Sequence, residues 1–307
     1  MTEFETQTQL TVWDMPFLVP GNIYPDDYPD IIQDDYCEET DEDSDNESII
    51  IKPPTIISIS ASKIGAALSV SPFCTRDQYK EELLAKYIEQ YEYTSEEQQV
   101  IHELSKEGKK YHHIILKEIK NCRKSDDFKI LAGKAIARIL QTDQYINASI
   151  QTKKKLKKSL MSHYRMYFGT CNEERVANYL SQFGNIVNDN NTYTFTITTN
   201  KLGYKYICSG KIDRILERED GTKALIEIKN RVNSFHPTVQ LYEKMQIQAY
   251  LQMLDMDSAF LVECYNGEIR HHEIKRDTIY FNTTVRSGLL NFINDFHAKL
   301  EKITFKK

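Results

Sequence analysis

Residues 209–229 limit what this chain can fold into more than any other stretch. Ser209-Gly210-Lys211-Ile212-Asp213 puts an acid at the end of one apolar segment, Glu219-Asp220-Gly221-Thr222 is a tight-turn signal, and Ala224 to Ile228 forms a second apolar segment running into Lys229. Asp-Gly between two strand-like runs predicts a hairpin, and folding there returns Asp213 to the side of Glu227. Side chains alternate faces along a strand, so Glu227 and Lys229 point the same way. Two carboxylates and an ammonium then share one patch. Carboxylate oxygens are hard ligands of the kind Mg²⁺ takes, together with water and phosphate oxygens. A lysine beside such an ion can orient or deprotonate a water, so the pattern suits metal-assisted phosphodiester hydrolysis. The plain alternative is a solvated hairpin carrying ordinary surface charges.

The 307 residues suffice for a sizeable core, and 40% hydrophobic with 27% charged residues is ordinary for a globular protein. No apolar run approaches the ~20 residues of a membrane span, and the N-terminus lacks a basic-then-apolar leader, so an intracellular protein with no membrane partner is expected. The six cysteines are scattered without a Cys-x-x-Cys, which predicts reduced, mostly buried thiols and leaves no four-cysteine set for an iron–sulfur cluster. His112-His113 sits inside a helical pattern and is not expected to bind metal.

Charge is informative once divided along the chain. Residues 1–50 hold fifteen Asp or Glu and no Lys or Arg, so the overall −6 conceals a body of net +9. A positive body suits a polyanionic partner, with DNA the first candidate. The acidic segment, rich in Asp, Glu, Pro and Tyr, cannot build a core and is expected to be disordered. It could serve as a solubilising tail, a docking tail, or an internal mimic of nucleic acid competing for the basic body.

Order is expected from about Pro53. Ile56 to Ile59 reads as a short strand leading into a helix start at Ser60-Ala61-Ser62-Lys63-Ile64-Gly65, with Ser60 or Ser62 as the cap and free N–H groups able to hold a phosphate. Residues 76–150 carry the apolar periodicity of amphipathic helices. Lys153, Lys154, Lys155, Lys157 and Lys158 form a basic run before the next helix, which is predicted to open at Gly169-Thr170-Cys171-Asn172-Glu173-Glu174 and to place Glu173 or Glu174 in its first turn. Thr192 to Thr198 reads as a strand, and Tyr204 to Cys208 as another that runs into the Asp213 hairpin. Leu241 to Leu254 reads as a helix with Leu241, Met245, Ala249 and Met253 as its buried stripe and Gln246 and Gln248 off it. Phe260 to Tyr265, Asn266-Gly267 and Glu268 to Ile274 form a hairpin, and Val285 to Ile303 a long amphipathic helix.

Taken in order, Ala61-Ser62-Lys63-Ile64-Gly65 with Ser71-Pro72-Phe73, Gly169-x-x-x-Glu173, Gly210-x-x-Asp213, Glu227-x-Lys229 and Gln246-Ile247-Gln248 resemble the phage lambda exonuclease and YqaJ-type viral recombinase branch of the PD-(D/E)xK nucleases, over roughly residues 58–255. The resemblance implies an α+β fold with a restriction-endonuclease-like core: a mixed central β-sheet flanked by helices, a helical N-terminal part at 53–160, a catalytic core at 161–307, and the acidic tail at 1–52. It implies that Glu173, Asp213, Glu227 and the backbone carbonyl of Ile228 hold one or two Mg²⁺ ions, with Mn²⁺ able to substitute. Lys229 would act on the nucleophilic water, Gln246 would position Lys229 or that water, and Ser62 and Lys63 would grip a terminal 5′ phosphate. The implied activity is 5′-to-3′ exonucleolysis of duplex DNA for viral recombination, replication or repair, in host cytoplasm or nucleus, by a homo-oligomer working with a single-strand annealing protein.

Three positions depart from that pattern. Glu174 replaces a proline common after the helical glutamate and could be the ligand in place of Glu173; Ile212 stands where the eponymous proline would be; Arg214 stands where a glycine often follows the aspartate. A structure-specific endonuclease of the same fold and a non-catalytic DNA-binding or virion protein are the alternatives. The second must explain a costly charge cluster kept without a metal.

Overall fold

A computed structural model describes residues 56–304 apart from 89, 90 and 92. The acidic segment 1–52, with its expected disorder and suggested roles, lies outside the described residues. Lys52–Lys307 form one compact unit, α+β as expected, whose strands divide into two mixed sheets flanked by helices.

The first sheet has three strands. β1 (Ile56–Ser60) runs parallel to β4 (Lys205–Gly210), which pairs antiparallel with β3 (Tyr193–Thr199). The second has five: β2 (Asn185–Val187), β5 (Arg214–Glu217), β6 (Lys223–Asn230), β7 (Ser258–Tyr265) and β8 (Glu268–Lys275), in that order. β4 therefore does not run on into the 213–229 hairpin: it ends at Gly210, and β5 begins at Arg214 in the other sheet. The β5–β6 turn forms as predicted, with Gly221 at φ 79° and Asp220 accepting from the Thr222 N–H at 2.9 Å. Asn266 (φ 52°) and Gly267 (φ 89°) take the left-handed conformations of a tight β7–β8 hairpin. β6 and β7 are parallel and so need a crossover, supplied by α8 (Leu241–Leu254). Ala224 to Ile228 are all buried, as befits a central strand covered on both faces.

α8 packs against β3 of one sheet and β6 and β7 of the other. Every residue from Met245 to Leu251 is accordingly buried. This corrects the predicted single stripe: Leu241 is 48% exposed, whereas Gln246 and Gln248 are inside. Gly210, ending β4, admits this packing, because a Cβ there would stand 2.5 Å from Cε1 of Tyr250 on α8.

Ahead of the second sheet, α1 (Ile64–Ala67), α2 (Arg76–Tyr87), α3 (Glu96–His102), α4 (Lys106–Lys120), α5 (Ser125–Leu140) and α6 (Asp143–Ile146) lead into α7 (Ile150–Leu180). Helices α3 to α7 enclose a core of their own around Phe128, Phe168, Tyr164 and Ile139. α7 revises two expectations. It is capped by Ser149, whose Oγ accepts from the Thr152 N–H at 3.1 Å, so the lysine run lies inside the helix, as does Gly169. A helical glycine costs about 1 kcal/mol relative to alanine. Here the buried stripe Leu156, Leu160, Tyr164, Phe168 and Asn172 continues past it at four-residue steps and holds the helix together. Residues 160 and 161, where the helical part and the core were expected to divide, are neighbours in this unbroken helix. The chain closes with α9 (Thr278–Tyr280), a π-helical turn (Phe281–Arg286) and α10 (Ser287–Thr304), whose Phe292 stacks on Tyr79 of α2.

Candidate active site

Four elements supply the predicted residues: α7 carries Glu173, the segment before β5 carries Asp213, β6 carries Glu227, Ile228 and Lys229, and α8 carries Gln246. The β5–β6 register pairs Arg214 with Ile226, so Asp213 comes just past the end of β5, level with Glu227. Because β5 stops there, the Ile228 N–H on that edge of β6 has no strand partner and instead donates to Asp213 Oδ2 at 2.6 Å.

Glu227 is 2% exposed. Its Oε1 accepts from Lys229 Nζ at 2.5 Å and from Gln246 Nε2 at 2.8 Å, and Gln246 Nε2 also reaches the Tyr250 hydroxyl at 3.2 Å. Glu227 and Lys229 thus share a face, and Gln246 touches the glutamate rather than the lysine. Glu227 Oε2 is buried with no hydrogen-bond partner among the described residues.

The electrostatics follow from burial and crowding. Burial raises the Asp213 pKa, and Lys229 only partly offsets it. Burial, then repulsion from Asp213, raises Glu227. The same two causes, in the same order, push Glu173 up to about 7. Burial alone would favour a neutral Lys229, but Glu227 and Asp213 outweigh it and hold the amine protonated.

Glu174 faces elsewhere. It pairs with Arg214, whose Nη1 also donates to the Asp213 carbonyl at 2.6 Å. The arginine that replaces the expected glycine therefore braces the chain at Asp213, and of the two adjacent glutamates it is Glu173 that interacts with Asp213.

Ser62 and Lys63 are placed less directly. Neither Ser60 nor Ser62 caps a helix through its side chain: the two hydroxyls bond each other at 2.9 Å, and residues 61–63 form a 3-10 turn ahead of the four-residue α1. Lys63 is engaged with Glu82 at 2.8 Å. That turn packs on α8 and on β4.

Among the described residues, no three His, Cys, Asp or Glu side chains form a ready-made metal cluster. Lys229, Gln246 and the Ile228 N–H occupy oxygens of Glu227 and Asp213. The described cysteines are free thiols. His112 Nδ1 lies 3.2 Å from the Tyr164 hydroxyl within the helical core.

Sequence reasoning missed a second buried charge network beside the first. The Arg231 guanidinium binds Glu243 through two bonds of 2.7 and 2.9 Å and also donates to Glu263, whose other oxygen meets His272 Nε2 at 3.2 Å. Glu243 and Glu263 are each 1% exposed, and Glu243 adds to the field on Lys229. Two signals were available: Glu227, Lys229 and Arg231 alternate along one line, and Glu263 is a lone charge within the apolar run of β7.

No profile of a known protein family matches the chain, and no curated protein matches its sequence. Among solved structures, the chain is similar to an alkaline exonuclease, LHK-Exo, from Laribacter hongkongensis, at 14% identity and a TM-score of 0.41, covering 82% of this chain and 94% of that one. The same enzyme in complex with dAMP gives 13% identity and a TM-score of 0.44, over 81% and 92%. A protein called SSO0001 gives 20% identity and a TM-score of 0.36, over 47% and 69%.

Proposed function

We propose that this chain is a divalent-metal-dependent nuclease that hydrolyses phosphodiester bonds in DNA, acting as an exonuclease from a 5′ end of duplex substrate. The observation that carries the reading is Glu227 Oε2, a buried carboxylate oxygen without a partner among the described residues, next to Asp213 and Glu173, whose carboxyls burial drives to keep their protons. An uncompensated buried carboxylate is costly, and a cation drawn to it offsets that cost.

The donor set fits such an ion. Glu173, Asp213, Glu227 and the Ile228 carbonyl are all hard oxygens, suited to Mg²⁺ with Mn²⁺ as substitute. When bound, the ion supplies Lewis-acid polarisation of a phosphate and a more acidic water. Lys229 contributes an ammonium whose hydrogen bonds orient a water or stabilise charge growing on phosphate oxygens. Gln246 holds Glu227 from behind and, through that shared oxygen, fixes where Lys229 can reach. Ser62 and Lys63 receive a terminal 5′ phosphate, Lys63 exchanging Glu82 for it. The 5′-to-3′ polarity, the viral recombination, replication or repair role, the annealing-protein partner and the oligomeric ring follow from the family resemblance of the motifs.

The test is digestion of 5′-labelled and 3′-labelled linear duplex, and of closed circular duplex, with Mg²⁺ or with EDTA. Metal-dependent early release of the 5′ label from linear DNA alone is expected. Cutting of the circle would mean an endonuclease of the same fold. Binding without hydrolysis in Mg²⁺ or Mn²⁺ would mean a non-catalytic DNA-binding protein.

A further inference from the structure

The positive charge of the body is concentrated in one part of it. Residues 100–168 hold sixteen Lys or Arg against six Asp or Glu, whereas residues 169–304 hold sixteen against seventeen. Helix α7 joins the two regions, because its first half lies in the basic helical core and its last third carries Glu173.

A helix turns about 100° per residue, so Lys155, eighteen residues before Glu173, points in the same direction as Glu173. Lys154, Lys158 and Arg165 fall within about 100° of that direction, and all four are exposed. Among the described residues Lys154, Lys158 and Arg165 have no ion-pair partner. Lys153 and Lys157 of the same run fall on the opposite side, and Lys153 is bonded to the Ile146 carbonyl at 2.7 Å. The run is therefore split, with three of its five lysines facing as Glu173 does. Between them and Glu173 lies Gly169, where a Cβ would meet nothing within 4 Å. Its smallness serves no internal packing, and it leaves the backbone open to close approach one turn before the acid.

We infer that this arc of α7 is a phosphate track that holds the backbone of duplex DNA and leads it to the carboxylate site. The inference rests on the nuclease reading for where the track ends, and on charge and geometry for the track itself. Lys158 and Lys155 stand about 22 and 27 Å from Glu173 at 1.5 Å per residue, which spans about six to eight base pairs. Contacts of this kind are to phosphate and carry no sequence preference.

Two double variants of the full chain test it: Lys158→Gln with Arg165→Gln on the arc, and Lys153→Gln with Lys157→Gln on the far side. Duplex affinity is measured against salt in EDTA, so that nothing is cut. The arc variant should lose several-fold in affinity for a 20-base-pair duplex and flatten the log–log salt slope by nearly two, about 0.9 per phosphate contact removed. The far-side variant should match the native chain. Equal loss in both variants, or an unchanged slope in the arc variant, would overturn the track. Tighter binding by the arc variant would also overturn it. Cleavage in Mg²⁺ is scored separately: a native chain that cuts DNA while the arc variant keeps its slope loses the track alone, and a native chain that cuts nothing loses the nuclease reading.

Discussion

Lys229 and Gln246 donate to the same oxygen of Glu227, at 2.5 and 2.8 Å, and leave the other carboxylate oxygen buried and without a partner among the described residues. One strand and one helix thus grip half of an acid whose other half is offered to something else. If that something is a divalent ion, the acids and the lysine contribute to a single function and should fail together.

Asp213→Asn and Lys229→Ala should each lower DNA hydrolysis by at least about a hundredfold while duplex binding changes little, as expected for groups acting at the reacting phosphate. Glu173→Gln should behave like them, and Glu174→Gln should not, because Glu174 is engaged with Arg214. Turnover of labelled duplex alongside binding isotherms checks this; full activity in Asp213→Asn would remove the site assignment.

The pH dependence has a definite sign. Glu173 and Glu227, raised to about 7, hold protons in the folded state that the unfolded chain releases at ordinary carboxylate values, so their contribution to stability is complete at low pH and lost as pH rises through about 7; Asp213, also raised by burial, acts in the same direction. Acids with lowered pKa, such as Asp220 and Glu217, act only in more acidic solution. The metal-free melting temperature should therefore fall between pH 5 and 8, and Glu173→Gln should flatten that fall. Mg²⁺ should raise the melting temperature more at pH 8 than at pH 6, since binding must displace those protons. Melts in EDTA and in Mg²⁺ across that range decide it.

Arg231→Met should destabilise by about 3 to 5 kcal/mol, because it strands Glu243 and Glu263 as unpaired charges in the interior. Arg231→Lys should recover only part of this, since an ammonium cannot reproduce the two-bond grip on Glu243. Urea unfolding midpoints measure both.

Gly169→Ala should stabilise the protein by up to about 1 kcal/mol, as a helical glycine with open space over it gains from a methyl. Gly169→Trp should fold yet cut poorly, because the ring would occupy the approach to Glu173. Thermal melts paired with cleavage rates separate the two effects; a Trp variant with native turnover would show that substrate never comes near this turn.

Part of the local structure around the candidate site is legible in the sequence. Gln246 is singled out only by the resemblance of the motifs, whereas the Asp220-Gly221 turn, the shared face of Glu227 and Lys229, and a helix over 241–254 all follow from spacing over a few residues. The start of α7 did not. Gly169 looks like a helix boundary to local reasoning, and the buried stripe that carries the helix through it draws on partners in α4 and α5. Nor did the Arg231 network, whose members come from four separate segments.

The sequence by itself determined the hairpin, the acid–lysine pair and the basic body, because turn chemistry, strand alternation and charge count depend only on neighbours along the chain. Tertiary structure alone decided that Glu173 rather than Glu174 feels the Asp213 charge, that Gln246 holds Glu227, and that three of the five lysines in the run face as Glu173 does. Those outcomes depend on how α7 and α8 pack against β6, and packing angles between distant segments are set by the shape of the whole core.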